Sequence, residues 1–375
     1  MALDGTPLAG EPTGVGVFCA ELLAGLARRG DLEVGAFAVS RRGRGALAGR
    51  LPDGVRPLGF LGLGLPGLNV PARALHASWQ RWAFPPAELW SGRADVVHGT
   101  NFVVPPAWRA ATVVTVHDLT PLHHPEWSLP AARAYPELVR KAVSRGAWVH
   151  ADSQFVADEV CALLGAPPER ARAIYPGGPA RPAGAANVNV NALLPEWVQR
   201  YVLAIGTVEP RKAFPVLVRA FGRVARAHPG LALVIAGPDG WGANELRRAI
   251  AASPARQRVV RLGWVSASER GSLLGRAAVF CYPSLYEGFG LPPLEAMAAG
   301  APVVASDAGA LREVLGDAAL LVPPGDDEAL AGAIDQLLGD GAVREALAEK
   351  GKQRVALYSW DRCAAEMAAL YREAT

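Results

Sequence analysis

Cysteine is scarce in this 375-residue sequence, and its four copies (Cys19, Cys161, Cys281, Cys363) stand far apart with no C-x-x-C pair. That excludes a disulfide scaffold or a thiolate metal site and fits a reduced compartment. Long hydrophobic runs are missing too. The longest, Leu58–Val70, covers 13 residues and is broken by Gly and Pro, against the ~20 a membrane span needs. A charge excess is absent: 38 basic residues face 35 acidic ones, which excludes the electrostatic footprint of a nucleic-acid binder. The start, Met1-Ala-Leu-Asp4, lacks the basic and apolar regions of a signal peptide. With 51% apolar and 19% charged residues, disorder and fibrous repeats are excluded as well. The expectation is a soluble, cytoplasmic protein.

What is present is strand–helix alternation over a length suited to two domains. Short β-branched runs predict strands at Leu32–Val39, Asp95–Gly99, Thr112–His117, Trp148–Ser153 and Arg172–Tyr175. A more regular set follows at Tyr201–Thr207, Leu231–Gly237, Val259–Leu262, Ala278–Pro283, Pro302–Ser306 and Leu320–Val322. Several are apolar without alternation, as parallel strands covered on both faces are. Helical patterns lie between them at Phe214–His228, Asn244–Ala252, Ala267–Arg276 and Asp326–Leu338. The Pro/Gly-rich stretch from Tyr175 to Pro182, with Ala and Asn beyond it, reads as a linker. The fold class is therefore α/β: two Rossmann-like, doubly wound domains facing a cleft, over residues 1–185 and 186–357. Ligands in such sheets bind just beyond the carboxyl ends of strands.

Four stretches place reactive groups there. Glu287 follows the strand Ala278–Pro283, Gly288 and Gly290 permit a tight turn, and Pro292 or Pro293 can open a helix. Glu295 would then fall in that helix's first turn. Two carboxylates so placed suit the hydroxyls of a ribose or sugar ring. In Glu209-Pro-Arg211-Lys212, two cations precede a helix, where a diphosphate would complement them. Only four of the basic residues are lysines, Lys212 among them. Thr13-Gly14-Val15-Gly16 leads into a predicted helix Cys19–Arg28 and could approach a phosphate or sugar through its backbone. His117 ends a buried strand; Asp118 either orients it or caps the next turn. His98 ends the preceding strand and could line the same crevice, whereas His123 and His124 read as loop surface. Zinc ligation by these histidines fails for want of suitable spacing.

No Asp-x-Asp occurs anywhere. That is the pair with which metal-dependent sugar transferases hold a divalent ion at a diphosphate, and Arg211 with Lys212 could replace the ion's charge. Together the string Glu287–Glu295, the Glu-Pro-Arg-Lys turn, the Gly14/Gly16 stretch and His117 resemble the family 4 retaining glycosyltransferases of the GT-B fold. The resemblance runs from about Asp4 to the end. The stretches Val113–Trp127 and Ala151–Phe155 look like its bacterial polysaccharide branch, often mannosyltransferases.

The resemblance implies residue roles. His117, Glu287, Arg211 and Lys212 would be catalytic. Gly14, Gly16, Arg211, Lys212, Glu287, Gly288, Phe289, Gly290 and Glu295 would hold the donor, a nucleoside diphosphate sugar such as GDP-mannose. No cofactor or metal is implied. A terminal helix, 358–375, would cross back to the first domain, and the acceptor would be a glycan or lipid-linked sugar. Three features depart from the family pattern. Only three residues precede Asp4, which implies a late start or a frayed first strand. Ala213 stands where relatives often carry Gly or Asn, and the Gly14 stretch is not the Lys-x-Gly-Gly of glycogen and starch synthases. A nucleotide-sugar epimerase of the same shape and a non-catalytic sugar-nucleotide-binding protein are the alternatives. Residues 1–150 hold 15 basic against 11 acidic residues. Arg41, Arg42, Arg44, Arg50 and the apolar stretch Leu58–Val70 offer a peripheral contact with the inner membrane face, or simply a solvated loop.

Overall fold

The computed structural model describes every residue except 11–12, 40–42, 44, 46, 48, 60–70 and 180–188. It divides into two units, Met1–Gly177 with Tyr358–Thr375, and Gly178–Leu357. The boundary expected near residue 185 lies outside the described residues, as do Arg41, Arg42, Arg44 and most of the Leu58–Val70 stretch. No described helix is long and apolar enough to cross a membrane.

Unit 1 is built on parallel strands β1 (Ala2–Asp4), β2 (Gly35–Phe37), β3 (Arg56–Pro57), β4 (Val96–Gly99), β5 (Ala111–Val116), β6 (Trp148–Ala151) and β7 (Ala171–Ala173). Their order is β3-β2-β1-β4-β5-β6-β7. The first strand is not a frayed edge. It lies mid-sheet, with Ala2 and Leu3 beside Gly35 and Ala36 on one side and Val97 and His98 on the other. Three residues suffice because both neighbours bond to them, and Ala2 and Leu3 are wholly buried. The terminal helix Trp360–Ala374 belongs to this unit. It packs on helix Gly14–Arg28 so closely that a Cβ on Gly25 would stand 2.8 Å from that of Ala364.

Unit 2 carries β8 (Arg200–Ile205), β9 (Leu231–Ala236), β10 (Val259–Gly263), β11 (Val279–Tyr282), β12 (Val303–Ser306) and β13 (Ala319–Val322). The order is β10-β9-β8-β11-β12-β13, again all parallel. Its central strands are buried along their length, as the unbroken apolar runs predict. Winding reverses between β1 and β4 in unit 1 and between β8 and β11 in unit 2. Such switch points open a crevice beyond the strand ends.

Candidate functional site

In unit 2, the residues after β8 form a short 3-10 turn, Pro210–Lys212. Ala213 then takes a left-handed conformation (φ 48°) and helix Phe214–Val224 begins. Gly and Asn tolerate that conformation better than alanine. The residues after β11 run to helix Leu291–Ala298, capped by Gly290 at φ 112°. The two loops are tied by backbone, Leu285 N–H to the Arg211 carbonyl at 2.9 Å. They are tied more strongly by charge. Glu287 Oε1 takes a bond from Lys212 Nζ at 2.6 Å and Oε2 one from Arg211 Nη1 at 2.7 Å. Arg211 also donates to Glu209 at 2.9 Å and to the Tyr286 carbonyl at 3.1 Å, and Lys212 donates to the Tyr282 hydroxyl at 2.6 Å.

All four charged side chains are largely buried, and two cations meet two carboxylates. Burial by itself pushes the Glu287 carboxyl up; Arg211 and Lys212 outweigh it and bring it down to about 2. Burial, then the Arg211 charge, pulls the Lys212 ammonium below its usual range against the two glutamates. The sequence places Glu287 and the Arg211/Lys212 pair at separate parts of a ligand. In the fold they form one charge-balanced cluster, because β8 and β11 are neighbours. Gly309 completes it: at φ 58° its position leaves a Cβ only 2.2 Å from the Glu287 carbonyl oxygen.

Glu295 falls in the second turn of its helix rather than the first, since the helix opens at Leu291. Its carboxylate pairs with Arg270 of helix Ala267–Arg276, a partner with no signal in the sequence. Burial pushes this carboxyl up, against the pull of Arg270. Phe289 is buried, and Gly288 lies in the loop beside it.

In unit 1, the glycine stretch is not a loop before a helix. The helix starts at Gly14, and the Thr13 side chain caps it by accepting from Gly16 N–H at 3.2 Å. The Gly16 N–H is thereby taken, while Gly14 is exposed with open space at its Cβ position. His117 follows β5. Its Nδ1 lies 2.7 Å from Asp152 Oδ2 and its Nε2 2.9 Å from the Thr100 carbonyl. Carbonyl and carboxylate only accept, so both ring nitrogens carry protons and His117 is a cation. Burial pulls its pKa down, but the Asp152 carboxylate beside it and the Thr100 carbonyl outweigh burial and hold it above the usual imidazole value. Asp118 does not orient it; that carboxylate caps Thr120 N–H at 2.9 Å. Asp152, 35 residues away, is the partner.

His98 does not line the crevice. It is wholly buried beneath Tyr371 of the terminal helix. The Ile174 carbonyl can only accept, so His150 Nε2 donates to it (2.9 Å) and His150 Nδ1 accepts from Thr115 Oγ1 (2.9 Å). Thr115 in turn accepts from His98 Nε2 (2.7 Å), and His98 Nδ1 accepts from Tyr371 (2.7 Å). Burial lowers both histidine pKa values, in accord with two neutral rings. His123 and His124 are surface residues, bonded to Glu159 and Glu126. Arg50 is held by the Leu8 carbonyl at 2.9 Å and by that of Gly10. Among the described residues no group of three or more His, Cys, Asp or Glu could hold a metal ion.

Two α/β units, each with a crevice at its switch point and one of these lined by buried cations and carboxylates, suit an enzyme that binds a phosphorylated ligand. Residues 12–178 match the model described as Glycosyltransferase Family 4, and residues 194–354 that described as Glycosyl transferases group 1. O-antigen chain mannosyltransferase B of Escherichia coli is 31% identical over 310 residues, 80% of this chain and 78% of that protein. A phosphatidyl-myo-inositol mannosyltransferase of Mycolicibacterium smegmatis is 36% identical over 176 residues, 46% of this chain and 45% of that protein. The solved sucrose-phosphate synthase of Thermosynechococcus elongatus superposes with a TM-score of 0.74 over 99% of this chain and 98% of that one. At 23% identity it shows the fold alone, which is GT-B. The chain belongs to the family 4 glycosyltransferases. The matched families and the two mannosyltransferase relatives give the epimerase alternative no support.

Proposed function

We propose that this glycosyltransferase moves a hexose, mannose favoured, from a nucleoside diphosphate sugar to a glycan or lipid-linked acceptor, with retention at the anomeric carbon. The observation that carries this reading is the buried cluster of Glu287, Arg211 and Lys212 at the unit 2 switch point. Two cations held there by carboxylates suit a diphosphate, whose charge grows as the bond to the sugar breaks. Glu295 would hold the ribose hydroxyls. Glu287, with the backbone of Gly288–Gly290, would hold those of the sugar. The departing phosphate would take the acceptor's proton on the face it leaves, and the two cations would do the work of a metal ion. His117, with both nitrogens donating inward, offers a fixed positive charge rather than a base. Gly14, whose Cβ position is open, would close the phosphate or acceptor side. Mannose is favoured because the E. coli relative is named as a mannosyltransferase.

Nucleotide release from a panel of GDP-, UDP-, ADP- and dTDP-sugars, with Glu295→Ala as control, tests the reading. Release of one nucleotide, lost in the variant, is the expected result. An epimeric sugar formed without acceptor would point to an epimerase. Failure of every donor both to turn over and to raise the melting temperature would overturn sugar transfer. Peripheral membrane contact rests on the basic and apolar stretches of unit 1. Liposome co-sedimentation at low and high salt tests it.

A further inference from the structure

The loop after β4 gathers side chains at the unit 1 switch point that the proposed donor site does not use. Thr100 donates from Oγ1 to the Asp4 carbonyl at 2.6 Å and receives His117 Nε2 on its own carbonyl, so it joins the ends of β1 and β5. Phe102, two residues on, holds a left-handed conformation (φ 59°), a strain non-glycine residues bear mostly at functional sites. Its ring meets His117 edge-on (5.9 Å) and stacks on Tyr135 (5.2 Å).

Asp4 is the last residue of β1. Its Oδ1 takes both the N–H and the hydroxyl of Thr6, while Oδ2 takes no hydrogen bond from any described residue. Tyr135 opens helix Tyr135–Ser144, and its hydroxyl likewise bonds to no described residue. Burial, and then the Asp4 charge, raises its pKa, so the two groups feel each other. One carboxylate that accepts and one hydroxyl that both donates and accepts thus stand ready in a strained, aromatic-lined crevice. The Asp4 carboxylate repels anions and the His117 cation beside the crevice repels a second cation, so the complementary ligand is a neutral polyol.

We propose that Asp4 and Tyr135 form a subsite for the acceptor, binding hydroxyl groups of a neutral sugar or cyclitol ring over the unit 1 switch point. This rests on the glycosyltransferase reading and adds the side chains that would hold the acceptor. It also accounts for a carboxylate kept where burial raises its pKa to about 6. The sign works against folding: the folded value lies above the ordinary 3.8, so the charged form costs stability in full above pH ~6 and not at all below ~3.8.

The test measures binding of methyl α-D-mannopyranoside and myo-inositol to the full chain by saturation-transfer NMR and calorimetry. Wild type is compared with Asp4→Asn and Tyr135→Phe. Loss of one hydrogen bond to a charged or buried group predicts at least tenfold weaker binding in each variant. Binding of the nucleotide found in the donor panel should be unchanged in both. Asp4→Asn should also melt above wild type at pH 7.5, a difference that shrinks as pH falls below ~6, which shows that the variant folds. No binding of either polyol by wild type, equal binding by the variants, or equal loss of nucleotide and polyol would overturn the subsite. Failure of the transferase reading is a separate result: no nucleotide would then bind wild type at all.

Discussion

Lys212 Nζ stands 2.6 Å from Glu287 Oε1, across 75 residues of sequence, and both side chains are buried. A buried pair of this kind is costly to form and more costly to leave half-made. Glu287→Gln should therefore destabilise the protein by ~3–5 kcal/mol, read from urea unfolding at pH 7. The Glu287 contribution is present above its ordinary value of 4.5 and is lost as pH falls toward about 2. The variant should lack that part of the acid-side slope. Lys212→Ala should lower turnover on the order of 10²–10³-fold, by loss of one charge-stabilising donor. Turnover within threefold of wild type would remove Lys212 from the chemistry.

The pairing of Asp152 with His117 sets a second pH window. The folded pKa of His117 is raised, so its stabilising effect is full below ~6.5 and is lost as pH climbs through the raised value. Asp152→Asn should lower the His117 midpoint seen in NMR titration and flatten that alkaline-side decline. An unshifted midpoint would mean that Asp152 does not hold the charge.

Tyr371→Phe removes one hydroxyl and leaves His98 Nδ1 buried without a donor. A loss of about 1–3 kcal/mol is expected, measured as a lower melting temperature. Because Thr115 and His150 depend on the same directed chain, His98→Asn combined with Tyr371→Phe should cost less than the sum of the single changes.

Ala213→Gly and Gly309→Ala should act in opposite directions. Relief of the left-handed alanine outweighs the lost methyl, and a gain of about 0.5 kcal/mol is expected. Gly309→Ala drives a Cβ into the Glu287 carbonyl at a conformation alanine resists. It should lower both stability and nucleotide affinity. An Ala213→Gly protein that melts lower than wild type would mean the methyl's packing in the core dominates.

Much of this was legible in the residues themselves. The strands Asp95–Gly99, Ala278–Pro283 and Pro302–Ser306 each lie within a residue of their positions in the fold, because unbroken apolar runs between Gly and Pro have few other solutions. Helix Ala267–Arg276 has the predicted bounds, and a Ser266–Glu269 capping box fixes its start. The Glu287 and Glu209–Lys212 stretches stood out because charged residues directly after strands have few other reasons to be there. The helix predicted over Cys19–Arg28 ends at Arg28 as expected but begins at Gly14, since glycine carries no helical signal and the Thr13 cap needs no Glu beside it.

Local pattern determined which segments are strands and helices and which charged residues sit at strand ends. Tertiary structure alone decided who meets whom. β8 lies beside β11 only through the crossover order, and that joins Lys212 to Glu287. β1 could be three residues long because two neighbours flank it. Asp152 reaches His117 because parallel strands bring their carboxyl ends to one edge whatever their separation in the chain, and Tyr371 reaches His98 across 273 residues because the terminal helix folds back into unit 1. Periodicity is a property of near neighbours along the backbone. Pairing across the sheet is set by the order in which the strands are laid down, and no window of sequence contains it.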